Sequence, residues 1–264
     1  MKRIIRIEEI QTLETNMLRC VDSICKKKNI KYFLVCGSVL GAIRHKGPIP
    51  WDFDVDITVP LPELHEFCEI MKTELKETEF RILIPGEDDD KNNITTFPRI
   101  AYKKINPRKL HIDVFPQIGI SDNPEEQVVH TELLTKLKTD YRDKKVSQTE
   151  TGEWWKRIAK KTILKLKTRK VNASKTLNEF YRECAKYPYQ ESTYVTNPCG
   201  HYGTKNILPK SFFGEPKRVE YLDMMLPVPE KTEEYLQHYY KNYMLYPSKE
   251  EINKMMQYTI EIEE

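Results

Sequence analysis

Hydrophobic residues recur along the chain at two spacings, and the changes between them predict the first elements. Apolar positions three and four residues apart predict amphipathic helices over residues 7–28 and 62–76. Residues 32–36 form an apolar run with aromatic and β-branched members, which favours a short buried strand. Residues 53–57 alternate apolar and acidic positions, as in a strand with one polar face. Between these two strands, residues 39–44 can form a short helix.

The rest of the chain mixes strand and helix patterns. Three strand-like segments, at 80–84, 94–103 and 110–115, predict a meander. The acidic turn at 85–90 lacks the spaced ligands of a calcium loop, so a solvated loop is expected there. Further helices are predicted over 125–145, 174–187 and, as the last one, 230–243, with a hairpin over 219–228. The pattern predicts an α/β (α+β) protein.

Two carboxylates stand out in the second strand. Asp54 and Asp56 are two residues apart and therefore share a face of the strand, away from Phe53, Val55 and Ile57. Carboxylates at this spacing repel each other unless a cation lies between them, and their hard oxygen atoms suit Mg²⁺ or Mn²⁺. A solvated strand end is the alternative.

The residues before this acidic pair have the character of a phosphate site. Gly37 and Ser38 end the first strand, and backbone N–H groups at such a turn can hold phosphate together with the serine hydroxyl. Arg44, His45 and Lys46 follow and could contact further phosphate oxygens, Arg44 in a bidentate manner.

A third carboxylate lies in the strand predicted at 110–115. Asp113 is placed between Ile112 and Val114, and a buried carboxylate needs a partner. A salt bridge with Arg99 or Arg108 is one interpretation. His111 shares the face of Asp113 by strand alternation and could orient it, contact phosphate or pack in the core.

Composition narrows the class of protein. The 264 residues include 43 basic and 40 acidic ones, a balance that gives no reason to expect nucleic acid. The six cysteines form no Cys-x-x-Cys pair, which argues against a zinc site. No apolar stretch is long enough to span a membrane, and the N-terminus is too short and polar for a signal peptide, so a cytoplasmic protein is expected.

One basic segment allows two interpretations. Residues 154–170 contain eight basic and no acidic residues, with Trp154, Trp155, Ile158, Ile163 and Leu166 on one helical face. This pattern suits peripheral contact with an anionic membrane, at its inner face. A helix packed on the core with a solvated lysine face is the alternative.

The motifs around the acidic pair resemble those of the LicD family. These are Gly37-Ser38, Leu40-Gly41-Ala42, Arg44-His45-Lys46-Gly47, Ile49-Pro50-Trp51-Asp52 and Asp54-Val55-Asp56-Ile57. The family includes bacterial phosphocholine transferases and fukutin-type proteins and belongs to the nucleotidyltransferase-fold superfamily. Phe53 departs from the family, which often has a third consecutive aspartate there.

The resemblance implies a single LicD-like domain, with a nucleotidyltransferase-like mixed sheet over 30–120 and a mainly helical extension over 121–264. It implies that Asp54, Asp56 and Asp113 are catalytic and bind Mg²⁺ or Mn²⁺, with Asp113 completing the metal site or acting as base. The residues expected to bind substrate are Gly37, Ser38, Arg44, His45, Lys46, Trp51, Asp52, His111 and Lys205.

The resemblance further implies a CDP-linked donor, typically CDP-choline, and transfer of the phospho-alcohol to a glycan or lipid-linked glycan with release of CMP. Transfer of a polyol phosphate from CDP-ribitol or CDP-glycerol is one alternative, and nucleotidyl transfer with release of pyrophosphate is another. A choline group would need an aromatic cage, which the many tyrosines could form. A non-catalytic membrane- or polyanion-binding protein is the alternative outside the enzymes.

Overall fold

A mixed β-sheet with helices packed around it organises the protein. The computed structural model describes residues 2–87, 93–148 and 162–263. The helices are α1 (Ile7–Lys28), α2 (Cys36–His45), α3 (Leu61–Glu74), α4 (Pro124–Gln148), α5 (Ala173–Cys184), α6 (Thr232–Tyr240) and α7 (Lys249–Met255). The strands are β1 (Lys2–Arg6), β2 (Phe33–Leu34), β3 (Val55–Pro60), β4 (Phe80–Leu83), β5 (Arg99–Tyr102), β6 (Ile112–Ile120), β7 (Tyr194–Thr196), β8 (Leu208–Pro209), β9 (Lys217–Tyr221), β10 (Met224–Val228) and β11 (Thr259–Glu263).

The strand order of the main sheet is β2-β3-β6-β5-β4, and its central pair, β3 and β6, is parallel. The other pairs in this order are antiparallel, and β4, β5 and β6 form the predicted meander. The far half of β6 also pairs with β7, which pairs with β8. The fold class predicted from the sequence is therefore confirmed.

Helices α1 and α3 cover the sheet as their hydrophobic patterns predict. Helix α1 buries Ile10, Met17 and Val21, and it packs against β5, β6 and α3. It begins with two glutamates and ends with three lysines, charges that suit the two ends of the helix dipole. Asn29 then ends the helix in a left-handed conformation.

Several predicted boundaries are wrong. Helix α2 begins at Cys36, so Gly37 and Ser38 lie in its first turn and not in a turn before it. Only Val35 separates the end of β2 from the start of α2, and the positive φ of 53° at Cys36 forms part of this sharp change of direction. Strand β6 continues past Pro116 to Ile120 because it pairs there with β7.

The end of the chain also differs from the prediction. Helix 230–243 was expected to be the last one and is shorter, as α6, and α7 and β11 follow it. Ser248 and Glu251 form a capping box at the start of α7. Strand β11 pairs antiparallel with β1 from the other end of the chain, a contact between distant segments that periodicity cannot reveal.

The basic segment is described in part. Residues 154–161 lie outside the described residues, and residues 162–167 are helical. Ile163 and Leu166, both predicted on the apolar face, are exposed to 65% and 70%, so these two side chains are not packed on the core. None of the helices in the described ranges is both long enough and apolar enough to cross a membrane.

Candidate active site

The parallel pairing of β3 with β6 brings two of the predicted carboxylates together. Asp56 and Asp113 are register partners, and side chains at paired positions of neighbouring strands share a face of the sheet. Arg99 on β5 is the register partner of Asp113 from the other side, and its Nε donates to Asp113 Oδ1 at 2.7 Å. Asp113 therefore faces Asp56 and also forms the salt bridge with Arg99 that was one interpretation of the sequence.

His111 supports Asp113 from the residue before the strand. Its Nε2 lies 3.2 Å from Asp113 Oδ1. Burial lowers the pKa of His111 to about 4, against the opposing effect of Asp113, so the imidazole is neutral near pH 7. A neutral ring at this position orients the carboxylate without neutralising it.

A tight turn holds the other two aspartates at the same edge of the sheet. Asp52 N–H donates to Ile49 C=O at 2.9 Å and closes the turn that precedes Asp54. The Gln11 side chain of α1 donates to the carbonyls of Ile49 and Asp52, at 2.8 and 2.7 Å. The carboxyl groups of Asp52 and Asp54 also share a hydrogen bond. Helix α1 thus fixes the loop that carries these acids.

Helix α2 is tied to the acidic strand through its first turn. Ser38 is buried, and its Oγ accepts a hydrogen bond from Asp56 N–H at 2.9 Å. The Cys36 thiol hydrogen-bonds the Asp56 side chain, and the Cys36 N–H donates to the hydroxyl of Tyr235 at 2.9 Å. These contacts make the strand–helix junction and the carboxylates one rigid unit.

Burial and crowding of like charges dominate the electrostatics. Burial, and then the charges of Asp113, Asp54 and Asp52, raise the pKa of Asp56 well above its usual range. Burial and the hydrogen bond to Asp54 raise the pKa of Asp52 to about 8. Glu14 on α1 is 3% exposed, and its burial and these aspartates raise its pKa strongly. The site therefore gains stability from any bound positive charge.

Asp52, Asp54 and Asp56 line a cavity of about 340 Å³. Gly37 also lies on its wall, next to Asp52. The remaining walls come from β3 and β6, from the loop before β8 and from α6, which contributes several tyrosines. A cavity that is lined by both carboxylates and aromatic rings can hold a charged organic substrate together with a cation.

Known proteins share this arrangement of motifs. Residues 29–133 match the family described as LicD/FKTN/FKRP, nucleotidyltransferase domain. The chain is 26% identical over 255 residues to the lipopolysaccharide cholinephosphotransferase LicD of Haemophilus influenzae, covering 93% of this chain and 94% of that protein. The chain is therefore a LicD homologue over most of its length, and residues 29–133 carry the family's nucleotidyltransferase domain. The human ribitol 5-phosphate transferase FKRP is 33% identical to it over 100 residues, 37% of this chain and 19% of that protein. The resemblance stated from the motifs is confirmed, and the protein is a homologue of a LicD-family phosphotransferase.

The basic residues predicted to bind phosphate are engaged elsewhere in this LicD homologue. Arg44 donates from Nη1 to the carbonyls of Tyr243 and Leu245, at 2.9 and 3.0 Å. Lys46 is exposed and pairs with Glu220 at 2.8 Å. Lys205 donates to the carbonyl of Tyr239 at 2.8 Å. These three cations are not among the described residues that line the cavity, and their contact with phosphate stays a prediction.

Trp51 and His45 belong to the same cluster as Arg44. The Trp51 ring lies 5.5 Å from that of His45 and 5.8 Å from that of Tyr246, and the Arg44 guanidinium lies over both Trp51 and Tyr246. In this LicD homologue the basic motif therefore anchors the segment after α6 beside the acidic loop. The sequence motif gave no signal of that partner, because the partner lies about 200 positions away.

The donor atoms at the site fit a divalent cation that is completed by substrate. Within residues 2–87, 93–148 and 162–263, no three His, Cys, Asp or Glu side chains form a ready-made metal site. Mg²⁺ commonly binds one or two carboxylates and takes its other ligands from water and substrate phosphates. Asp54 and Asp56 suit that mode, since a cation between them would offset the repulsion that raises the pKa of Asp56. Asp113, which is bonded to Arg99, stays a predicted third ligand or base.

Sequence reasoning missed several residues at this site. Gln11 and Glu14 on α1, and Cys36 at the start of α2, were not among the candidate site residues. A polar residue on the buried side of an amphipathic helix was the available signal for Glu14. The tyrosines of α6 gave no such signal, because no spacing rule links them to Asp56.

Proposed function

We propose that this LicD homologue transfers phosphocholine from CDP-choline to a hydroxyl of a cell-surface glycan, with Mg²⁺ or Mn²⁺ as cofactor. The observation that carries the proposal is the cavity with Asp52, Asp54 and Asp56 on one wall and tyrosine rings on another. The similarity to a lipopolysaccharide cholinephosphotransferase over most of both chains supports the choice of head group and acceptor class. The cytoplasmic location, with peripheral contact at the inner face of the membrane, stays a prediction.

The proposed reaction is an in-line displacement at phosphorus. An acceptor hydroxyl oxygen bonds to the phosphorus that bears choline, the bond from that phosphorus to CMP breaks, and the hydroxyl proton leaves to a base. Asp54 and Asp56 would hold the cation, which neutralises charge on the donor phosphates. Asp113, oriented by Arg99 and His111, either receives the proton or shares the cation.

A direct assay tests this function. The protein would be incubated with CDP-choline, Mg²⁺ and lipopolysaccharide, and both CMP release and choline incorporation would be measured. We expect metal-dependent release that falls at least 100-fold in Asp56→Asn, since Asp56 is placed on the cavity wall. Asp122→Asn is the matched control, because Asp122 is exposed and only accepts a hydrogen bond from Thr193. Equal activity of Asp56→Asn and the wild type would reject the site.

Transfer of a polyol phosphate is the second candidate, and the similarity to a ribitol 5-phosphate transferase favours it. The same assay with CDP-ribitol or CDP-glycerol in place of CDP-choline separates the two. If CMP were released from a polyol donor in preference to CDP-choline, the carboxylate site would be retained and the proposed head group would be a polyol instead of choline. Release of pyrophosphate from CTP would instead indicate nucleotidyl transfer.

A further inference from the structure

One wall of the cavity is a continuous set of tyrosine rings. Tyr235, Tyr239 and Tyr240 come from α6, and Tyr202 comes from the loop before β8. The ring centroid of Tyr239 lies 5.0 Å from that of Tyr235, 6.2 Å from that of Tyr240 and 6.0 Å from that of Tyr202. Tyr235 is buried and fixed by the backbone of Cys36, whereas Tyr239 and Tyr240 are half-buried and Tyr202 is exposed. The outer three rings are therefore the ones that a ligand can reach.

This tyrosine wall lies within reach of the carboxylates. Burial, followed by the interactions with Cys36, Tyr202, Asp52 and Asp56, raises the pKa of the Tyr240 hydroxyl far above its usual range. The hydroxyl is thus neutral at any physiological pH. Tyr235 is one hydrogen bond from Cys36, whose thiol contacts Asp56. A group attached to a phosphate held at the aspartates would therefore meet these rings.

The rings already attract one cation of the protein. Lys205 Nζ lies 5.4 Å from the ring centroid of Tyr202 and 6.0 Å from that of Tyr239, both within the range of a cation–π contact. Among the described residues, the ring of Tyr240 has no such partner. The wall thus has the electrostatic character that a cationic ligand requires, and Tyr240 is free to supply it.

Three polar side chains of the cavity each use one hydrogen-bonding atom within the protein. Thr58 donates its hydroxyl to the carbonyl of Phe115. The Gln117 Oε1 accepts from the Tyr189 hydroxyl, and Asn197 Oδ1 accepts from the Cys199 N–H. A polyol is bound through hydrogen-bond donors and acceptors, whereas a methylated ammonium group needs aromatic faces and no hydrogen bond, and the tyrosine rings supply such faces.

We infer that Tyr202, Tyr239 and Tyr240 form the subsite that binds the quaternary ammonium head group of the donor and thereby selects a choline-type alcohol. This inference rests on the proposed function. In this arrangement, tyrosines from the second half of the chain select the head group, and aspartates from the first half bind the phosphates through the cation. The rings would act by cation–π attraction and not through their hydroxyl groups.

Binding measurements with three ligands test the subsite. The dissociation constants of CDP-choline, of CDP alone and of a neutral analogue with carbon in place of the choline nitrogen would be measured by calorimetry with Mg²⁺. We expect the wild type to bind CDP-choline about tenfold more tightly than the neutral analogue. Tyr240→Leu should weaken CDP-choline by a similar factor and leave CDP unchanged, whereas Tyr240→Phe should bind CDP-choline normally. Tyr187→Leu, at a half-buried tyrosine outside the cavity, is the matched control.

Four outcomes would overturn the inference, and a fifth would overturn the proposed function alone. If Tyr240→Leu weakened the binding of CDP and of CDP-choline by the same factor, the rings would bind cytidine. Weaker binding of CDP-choline by Tyr240→Phe would assign the effect to the tyrosine hydroxyl. If the wild type bound the neutral analogue as tightly as CDP-choline, the positive charge of choline would have no role. If CDP-choline is turned over and Tyr240→Leu changes neither its binding nor its kcat/KM, the head group lies elsewhere and the proposed function survives. Tyrosine-dependent binding without any transfer would reject the function and keep the subsite.

Discussion

Replacing Gly37 by alanine tests the acidic site with a single methyl group. A Cβ at this position would lie 2.6 Å from Asp52 Oδ2, and its next neighbours are Asp52 Cγ at 3.8 Å and Ile49 Cδ1 at 4.0 Å. An ordinary contact between carbon and oxygen is about 3.4 Å, so the carboxylate oxygen must move by roughly 0.8 Å. The atom that must move belongs to a side chain, so the backbone of α2 can stay in place.

The expected effects on stability and on activity have different signs. Alanine is the better helix residue by about 0.5–1 kcal/mol, so the free energy of unfolding should stay level or rise slightly. A displacement of about 1 Å at a reacting centre costs on the order of 100-fold in rate, so we expect kcat/KM to fall by about 10- to 100-fold. CMP release and urea unfolding measure the two quantities on the same preparation.

Two further variants show whether Gly37→Ala acts through Asp52. In an Asp52→Ala background the clash is absent, so adding Gly37→Ala should change activity no further, a non-additive cycle. Gly41→Ala is the contrast on the same helix, because its Cβ would meet the backbone oxygen of Gly47 at 2.5 Å and should cost stability. Normal activity of Gly37→Ala, additive effects with Asp52→Ala, or a loss of stability as large as that of Gly41→Ala would refute the reasoning.

Three other variants or conditions give expected outcomes. Burial and the aspartates raise the pKa of Glu14, so the folded state favours its protonated form; the contribution of Glu14 to the free energy of unfolding is greatest below about pH 4.5 and declines as the pH rises above that value. Urea unfolding of Glu14→Gln should therefore show a stability advantage over the wild type that grows with increasing pH, and a constant difference would contradict this assignment. Gln11→Leu removes both hydrogen bonds from the Gln11 side chain to the carbonyls of Ile49 and Asp52, and should lower the free energy of unfolding by about 2 kcal/mol. At temperatures where the variant is still fully folded, its kcat/KM should nevertheless be lower than that of the wild type. Activity equal to the wild type would show that the turn needs no support from α1. Adding 10 mM Mg²⁺ should raise the free energy of unfolding of the wild type by about 2.7 kcal/mol if this concentration is roughly 100 times the dissociation constant. The rise should be much smaller in Asp56→Asn. An equal rise in both proteins would mean that the cation binds elsewhere.

The sequence predicted those parts of the protein that local patterns determine. Helix α1 was predicted with the bounds that the structure has, and the meander of β4, β5 and β6 follows from alternation and turn residues. The pairing of Asp113 with Arg99 was foreseen as one interpretation, since a charge between Ile112 and Val114 requires a partner. Local chemistry was enough for these features.

Contacts between distant segments were beyond the sequence. The basic motif around Arg44 was expected to face phosphate, but its partners, the carbonyls of Tyr243 and Leu245, come from a segment about 200 residues later. Strand β1 exists because β11 returns to pair with it, and neither strand is evident from periodicity alone. The tyrosines reach the cavity for the same kind of reason, since α6 is placed there by tertiary packing.

The link between Ser38 and Asp56 has a consequence for how members of such an enzyme lineage can diverge. Gly37, Ser38, Asp52, Asp54 and Asp56 lie within 20 consecutive residues, where Ser38 is bonded to Asp56 and Gly37 lies against Asp52, so a change at one of them should disturb the others. The tyrosine wall comes from segments after residue 200 and touches this unit at few points, among them the Tyr235 hydroxyl. Substitutions on α6 could therefore change which head group is transferred while the phosphoryl-transfer chemistry stays the same. The proposed reaction centre and the proposed head-group subsite thus come from different parts of the chain, and substitutions on α6 are where new donor specificities should be sought.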